Sequence, residues 1–234
     1  MTSVFLTAEW RSLLMINYVI EPAVLRPWLP RGVELDLWQG AALVSMVGFL
    51  FRECRVLGVA IPWHRSFEEV NLRFYVRREV GGEVRRGVVF VKEIVPRPAI
   101  ALVARGFYNE RYVALPMRHA IGEQRLEFAW RFRGRWQRLA ATIEGQCLPI
   151  AGGSEEEFIF EHYWGYSRQR DGGTVEYRVE HPAWRVAAAR DGVLDCDAAS
   201  LYGPEFGAAL GAEPRSAFVA EGSRVQVRRG TRVA

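Results

Sequence analysis

Residues 87–118 read GVVFVKEIVPRPAIALVARGFYNERYVALPMR. Val88 to Val91 form an apolar run suited to a buried strand, and Lys92 and Glu93 follow near its end. Pro96 and Pro98 stop the ladder, because proline has no N–H to donate. Ala99 to Ala104 then read as a buried helix that ends in the polar group Asn109-Glu110-Arg111. A strand with charges near its end, a proline turn and an apolar helix make the wall of a pocket.

The flanks supply strands to complete that pocket. On the N-terminal side, EEVNLRFYVRREV (68–80) alternates apolar and polar residues, Gly81-Gly82 turns, and EVRRGVVFVKEIV (83–95) returns. Residues 10–20, WRSLLMINYVI, read as a strand apolar enough to be buried on both faces. PAVLRPWLP (22–30) reads as a short helix with Pro22 near its first position. A short strand over 33–38, a hairpin turn at Gln39-Gly40 and a long strand over 41–57 follow, then an apolar loop, 58–66, broken by Pro62.

On the C-terminal side, RLEFAWRFRG (125–134) alternates so that Leu126, Phe128, Trp130 and Phe132 share one face. Gly134 turns the chain into a return strand over 135–145. Ser154 with Glu157 is a helix start, and the helix is expected to carry FIFEHYWGYSR (158–168). A strand over 175–190 broken at Pro182, a short helix around 201–210 and a final strand pair including 216–230 complete the chain. Strands joined mostly by tight turns favour an antiparallel or mixed α+β fold over a βαβ repeat. No linker or low-complexity tract divides the chain, so a single domain over 1–234 is expected.

Composition removes several function classes. Half of the 234 residues are hydrophobic, which permits a sizeable core. Arginines are scattered through alternating strands, and the net charge is only +4, so no nucleic-acid stripe is expected. Cys54, Cys147 and Cys196 are odd in number and far apart, which argues against disulfides or a cysteine zinc site. There is no signal-peptide pattern and no 18-residue apolar run, so a cytoplasmic protein without a membrane span is expected. His162 and His181 each follow a glutamate, Glu161 and Glu180, but no H-x-x-x-H or H-x-H spacing supports a metal. No glycine-rich nucleotide motif or nucleophile elbow occurs, so no cofactor is expected.

PAIALVARGFYNERY (98–112), Trp10-Arg11, PAVLRPWLPRGVELD (22–36) and SAFVAEGSRVQV (216–227) together resemble the uncharacterised YqjF-like bacterial family. That family is similar to the acetoacetate decarboxylases, whose fold is a curved, barrel-like antiparallel sheet with a few short helices around an internal cavity. The decarboxylases form an imine through a lysine whose pKa a second lysine depresses. In this sequence the two lysine positions fall on Glu110 and Arg111. A cavity arginine falls on Arg11, a glutamate on or near Glu69, and a second glutamate on Ser45. The resemblance therefore implies the scaffold without its imine-forming pair, and oligomers as in the decarboxylases.

The candidate site gathers Arg11, Glu69, Asn71, Arg73, Lys92, Glu110 and Arg111, with Glu93. Glu69, Asn71, Arg73 and Tyr75 share one strand face, which either meets solvent or lines a cavity. Lys92 and Glu93 point to opposite faces, so only one lines a given cavity. Of 31 basic residues only Lys92 is lysine, so imine chemistry has one side chain available. Two readings stand. One is an enzyme acting on a small keto acid or related carboxylate, with Arg11, Arg111, Arg73 and Asn71 binding the substrate and Glu69, Glu110 or Lys92 catalytic. The other is a non-catalytic protein binding a small carboxylate or apolar ligand.

Overall fold

The computed structural model describes residues 2–60, 65–98, 109 and 111–233. The chain begins with β1 (Val4–Ile20), helix α1 (Pro22–Leu25) and a 3-10 turn over Arg26–Trp28. Strands β2 (Glu34–Leu35), β3 (Ala42–Val56), β4 (Val59–Ala60), β5 (Phe67–Val80) and β6 (Glu83–Val95) follow. Next come β7 (Tyr112–Ala114), β8 (Met117–Ile121), β9 (Arg125–Phe132) and β10 (Arg135–Pro149). Helix α2 (Glu155–Phe160) leads into β11 (Trp164–Arg168), β12 (Thr174–Glu180) and β13 (Arg185–Asp195). Helices α3 (Ala198–Tyr202) and α4 (Pro204–Leu210) precede β14 (Ser216–Arg228) and β15 (Thr231–Val233).

The hairpins form where the turn chemistry placed them. Gln39-Gly40, Gly81-Gly82 and Arg133-Gly134 all hold both central residues at positive φ. Turns of that hand match the twist of the flanking strands. Ser154 caps α2 as expected, its side chain accepting from Glu157 N at 3.2 Å, while Glu157 reaches back to Gly153 N at 2.7 Å. The helix does not run on through 158–168. It stops at Phe160, and Trp164–Arg168 pairs antiparallel with β12. Trp and Tyr favour a pleated, half-buried surface, and Gly165 is a poor helix former. The helix expected at Ala99–Ala104, the loop residues 61–64 and Glu110 lie outside the described residues.

Hydrogen bonding joins the strands in the order β15-β12-β11-β6-β5-β3-β1-β14-β13-β10-β9-β8. A further pairing of β12 with β14, through Val179–Val227 and Glu180–Gln226, closes the middle of this path into a ring. The fold is thus a strongly curved, mainly antiparallel sheet with short helices. Inside the ring lie Leu13, Met15, Val47, Phe49, Phe67 and Trp184. On the other side Leu14, Ile16, Val44, Leu72 and Phe74 pack against Phe128 and Trp130 of β9 and Phe206 of α4. Strands β1, β3 and β5 therefore bury both faces, which explains their near-continuous apolar runs. The face Leu126, Phe128 and Trp130 is buried as its alternation required. Among the described residues no helix is long and apolar enough to cross a membrane.

Two bulges break the strict alternation and decide what enters the ring. In β1, Ser12 has φ 54° and the register to β3 shifts between Arg11 and Leu14. An extra residue at such a bulge switches the facing, so Trp10 and Leu13 both line the interior cavity. In β6, Lys92 pairs with Leu72 while Phe90 pairs with Arg73, leaving Val91 as the extra residue. Phe90 and Glu93 consequently share the cavity side.

Gly222 of β14 lies opposite Arg11 at the first bulge, with φ +78°. A Cβ there would sit 2.0 Å from the backbone oxygen of Trp10. Gly222→Ala is expected to cost roughly 2–4 kcal/mol through backbone strain and steric overlap. The measurement is the denaturant midpoint at unchanged slope; a midpoint equal to the parent's would show that the bulge tolerates a side chain.

Candidate functional site

The ring encloses a cavity of about 190 Å³. Much of its wall is aromatic, with Trp10, Phe49, Phe51, Phe67, Phe160 and Trp184 among the lining residues. Trp10 packs on Phe49 at 5.2 Å and Phe51 stacks on Phe67 at 4.6 Å between ring centroids. Against this apolar wall stands one polar strip. Strand β5 contributes Glu69, Asn71 and Arg73 at every second position, β6 contributes Glu93 and β7 contributes Tyr112. Asn71, Glu93 and Tyr112 are register partners across three neighbouring strands. The face of β5 that could have met solvent instead lines the cavity, with Glu69 at 3%, Asn71 at 2% and Glu93 at 1% exposure.

The strip is partly bonded to itself. Asn71 Nδ2 donates to Glu69 Oε1 at 3.0 Å, and the Tyr112 hydroxyl donates to Glu69 Oε2 at 3.2 Å. Cys54 also lines the cavity; burial and the charge of Glu69 push its thiol up to about 11, so it stays protonated at neutral pH. Arg73 differs from the other members. Its Nη2 donates to the carbonyl of Ile159 at 3.1 Å and approaches Met15 Sδ at 3.5 Å. Its Nε is buried without an acceptor, and among the described residues it forms no ion pair.

Two histidines reach the same cavity, and both are held neutral. His162 follows the end of α2, packs on Tyr75 and Phe158 at 4.8 and 5.1 Å, and has Nε2 3.1 Å from Asp36 Oδ2. A carboxylate only accepts, so Nε2 carries the proton and Nδ1 is a bare lone pair. Burial drives the His162 pKa down to about 4 against the pull of Asp36. Burial would raise Asp36, but hydrogen bonds from His162 and Arg86 prevail and hold its carboxyl below the ordinary value. His181 stacks on Trp184 at 4.0 Å and has Nδ1 2.9 Å from the carbonyl of Pro182, which places its proton on Nδ1. Burial, and more weakly Arg73, lowers its pKa, while the bond to Pro182 opposes them.

Of the residues expected at the site, Glu69, Asn71, Arg73 and Glu93 come together, three others do not, and Glu110 lies outside the described residues. Arg11 points away from the lining, because the bulge turns Trp10 and Leu13 inward; its guanidinium pairs with Glu9 at 3.2 Å. Lys92 lies on the face opposite Glu93, where its ammonium donates to the carbonyl of Leu201 and sits 5.7 Å from the Tyr202 ring. It is not among the described lining residues of the cavity. Arg111 is exposed and stacks on Trp28 at 4.3 Å, beside a second cavity. Ser45 is fully buried at 0% and bonded to Asn17 and Tyr75. The carboxylates beside the histidines are committed elsewhere, Glu161 to the Tyr163 hydroxyl and Glu180 to Arg228. Among the described residues no cluster could hold a metal ion. Tyr112, His162, His181 and Trp184 carried no spacing signal that would have joined them to the site.

A family model described as an uncharacterized conserved protein, DUF2071, matches residues 7–224. The uncharacterized protein YqjF of Bacillus subtilis is 29% identical over 162 residues, 69% of this chain and 64% of that protein, so the match spans just under two thirds of the relative. Acetoacetate decarboxylase of Legionella pneumophila superposes with a TM-score of 0.69 at 14% identity, covering 98% of this chain and 87% of that one. The enduracididine biosynthesis enzyme MppR in complex with pyruvate gives 0.68 at 13% identity, covering 100% and 91%. At such identities the likeness establishes the acetoacetate decarboxylase-like fold.

The buried histidine makes stability depend on pH with a definite sign. Free histidine takes its proton near pH 6.5, whereas His162 in the fold does so only near 4. Between those values the unfolded chain binds more protons, so stability falls as pH drops through that window. The share due to His162 is about 3 kcal/mol at most. In His162→Gln the fall in denaturant midpoint between pH 7 and acid should be visibly smaller than in the parent. Equal falls in both would remove His162 as the cause.

Proposed function

The chain belongs to the DUF2071 family of uncharacterized conserved proteins, and on that footing we propose that its aromatic cavity binds a small carboxylate or keto acid with an apolar body. Arg73 carries this reading: it lines the cavity and has no carboxylate partner among the described residues. A guanidinium in such a place costs desolvation free energy until an anion meets it, and it receives a carboxylate through two parallel hydrogen bonds. Asn71 and Glu69 orient the ligand beside it. The cavity is slightly larger than an engineered one of roughly 150 Å³ that admits benzene, so the ligand has on the order of ten heavy atoms. Many arginines outside the aromatic cavity are paired with carboxylates, among them Arg85 with Glu176, Arg135 with Asp195 and Arg215 with Glu155. That pairing supports a small-molecule partner over nucleic acid.

A second reading, acid–base catalysis without an imine, is favoured by Glu69. Its carboxylate is buried beside the proposed anion site with two hydrogen-bond donors on it. In that reading Glu69 moves a proton at the ligand's α-carbon while Arg73 holds the carboxylate. The relatives known for pyruvate and acetoacetate make keto acids the first compounds to try.

Calorimetric titration with benzoate, acetoacetate and phenylpyruvate tests the binding. Arg73→Gln is expected to weaken a bound carboxylate roughly tenfold or more, whereas Arg11→Gln leaves it unchanged. Unchanged affinity in Arg73→Gln would overturn the assignment. Borohydride treatment with pyruvate is expected to add no mass at Lys92, read by peptide mapping. A stable adduct at that residue would restore imine chemistry and reject the orientation of Lys92 described above.

A further inference from the structure

The second cavity, of about 260 Å³, lies beside the first, and Phe90 lines both. Its walls differ in kind. Arg111 and Arg168 are both exposed and both line it, together with Asn109, Ser167, Gln169 and Trp28. No aspartate or glutamate is among its described lining residues. Neither arginine has an ion-pair partner among the described residues, although the same sheet pairs many of its other arginines. The cation of Arg111 is held rather than loose, and the backbone that carries Arg168 is anchored. The guanidinium of Arg111 lies 4.3 Å from the Trp28 ring, and the Arg168 backbone is anchored by Asn109 Nδ2 donating to its carbonyl at 2.8 Å. Lys92 adds a third positive charge within electrostatic reach. Its pKa is lowered first by burial and then by Arg111.

Two arginines lining one concavity, with no acid in its described lining and no ion-pair partner among the described residues, place like charges near each other, and an oxyanion relieves that repulsion. A stacked arginine is also pre-organised, so less conformational entropy is lost when it binds. We propose that this cavity is an oxyanion-binding site, in which Arg111 and Arg168 hold a phosphate or carboxylate group and the polar side chains of Asn109, Ser167 or Gln169 complete its coordination. The site is distinct from the anion position at Arg73, and of the described lining residues the two cavities share only Phe90. Arg111, expected from sequence to share a site with Glu69, thereby acts in a different one.

The Trp28 indole N–H signal in two-dimensional NMR reports on this cavity directly. Inorganic phosphate and acetate, titrated separately at constant ionic strength, are the probes. At least one should shift that signal saturably, and Arg111→Gln and Arg168→Gln should each weaken it roughly tenfold or more. Tighter binding of phosphate assigns a phosphate-bearing ligand, and tighter binding of acetate a carboxylate. Arg73→Gln should leave this titration unchanged while weakening benzoate binding in the aromatic cavity, so the two assignments stand or fall separately. No saturable shift with either probe, or equal affinity in the parent and both variants, would overturn the oxyanion site.

Discussion

Val179 pairs with Val227, and Glu180 with Gln226. These few ladder contacts join β12 to β14 and give the curved sheet an inside. A side chain that would have met water on an open sheet then meets the opposite wall of the ring. Each polar group on that wall must be bonded, neutral, or reserved for something that enters. Glu69 is bonded by Asn71 and Tyr112, the two histidines are neutral, and Arg73 has no carboxylate partner among the described residues.

Curvature of this degree needs bulges, and the bulges choose the chemistry. Ser12 at positive φ sends Trp10 and Leu13 inward and Arg11 outward. The extra residue Val91 brings Phe90 and Glu93 to the cavity and leaves Lys92 on the other face. The lone lysine of the chain is thereby kept out of the described lining of the aromatic cavity. A fold whose relatives include an acetoacetate decarboxylase here encloses a wall of carboxylates, neutral imidazoles and one arginine.

Both cavities carry arginines that have no ion pair among the described residues. Arg73 lines the aromatic one, while Arg111 and Arg168 line the polar one, and Phe90 borders both. Asp36 illustrates the opposite case. It collects His162 and Arg86 at 3.1 and 2.7 Å, so its charge is neutralised locally. Its role is to fix the tautomer of His162, which leaves Nδ1 as the ring's lone-pair nitrogen.

Much of the architecture is legible in the residues. Alternation in 68–80 and 125–132, paired turn residues and the Ser154 cap depend only on neighbours in the chain, and each appears in the structure. The set Glu69, Asn71 and Arg73 follows from the same two-residue period, as does the opposition of Lys92 and Glu93. What alternation cannot supply is which face is inside. That depends on ring closure between residues far apart in sequence, and on one-residue bulges that reverse the facing of everything beyond them. Hence Arg11, Lys92 and Arg111 could be named from sequence, whereas their separation from Glu69, and the arrival of His162 and His181 beside Arg73, were decided only when distant strands paired.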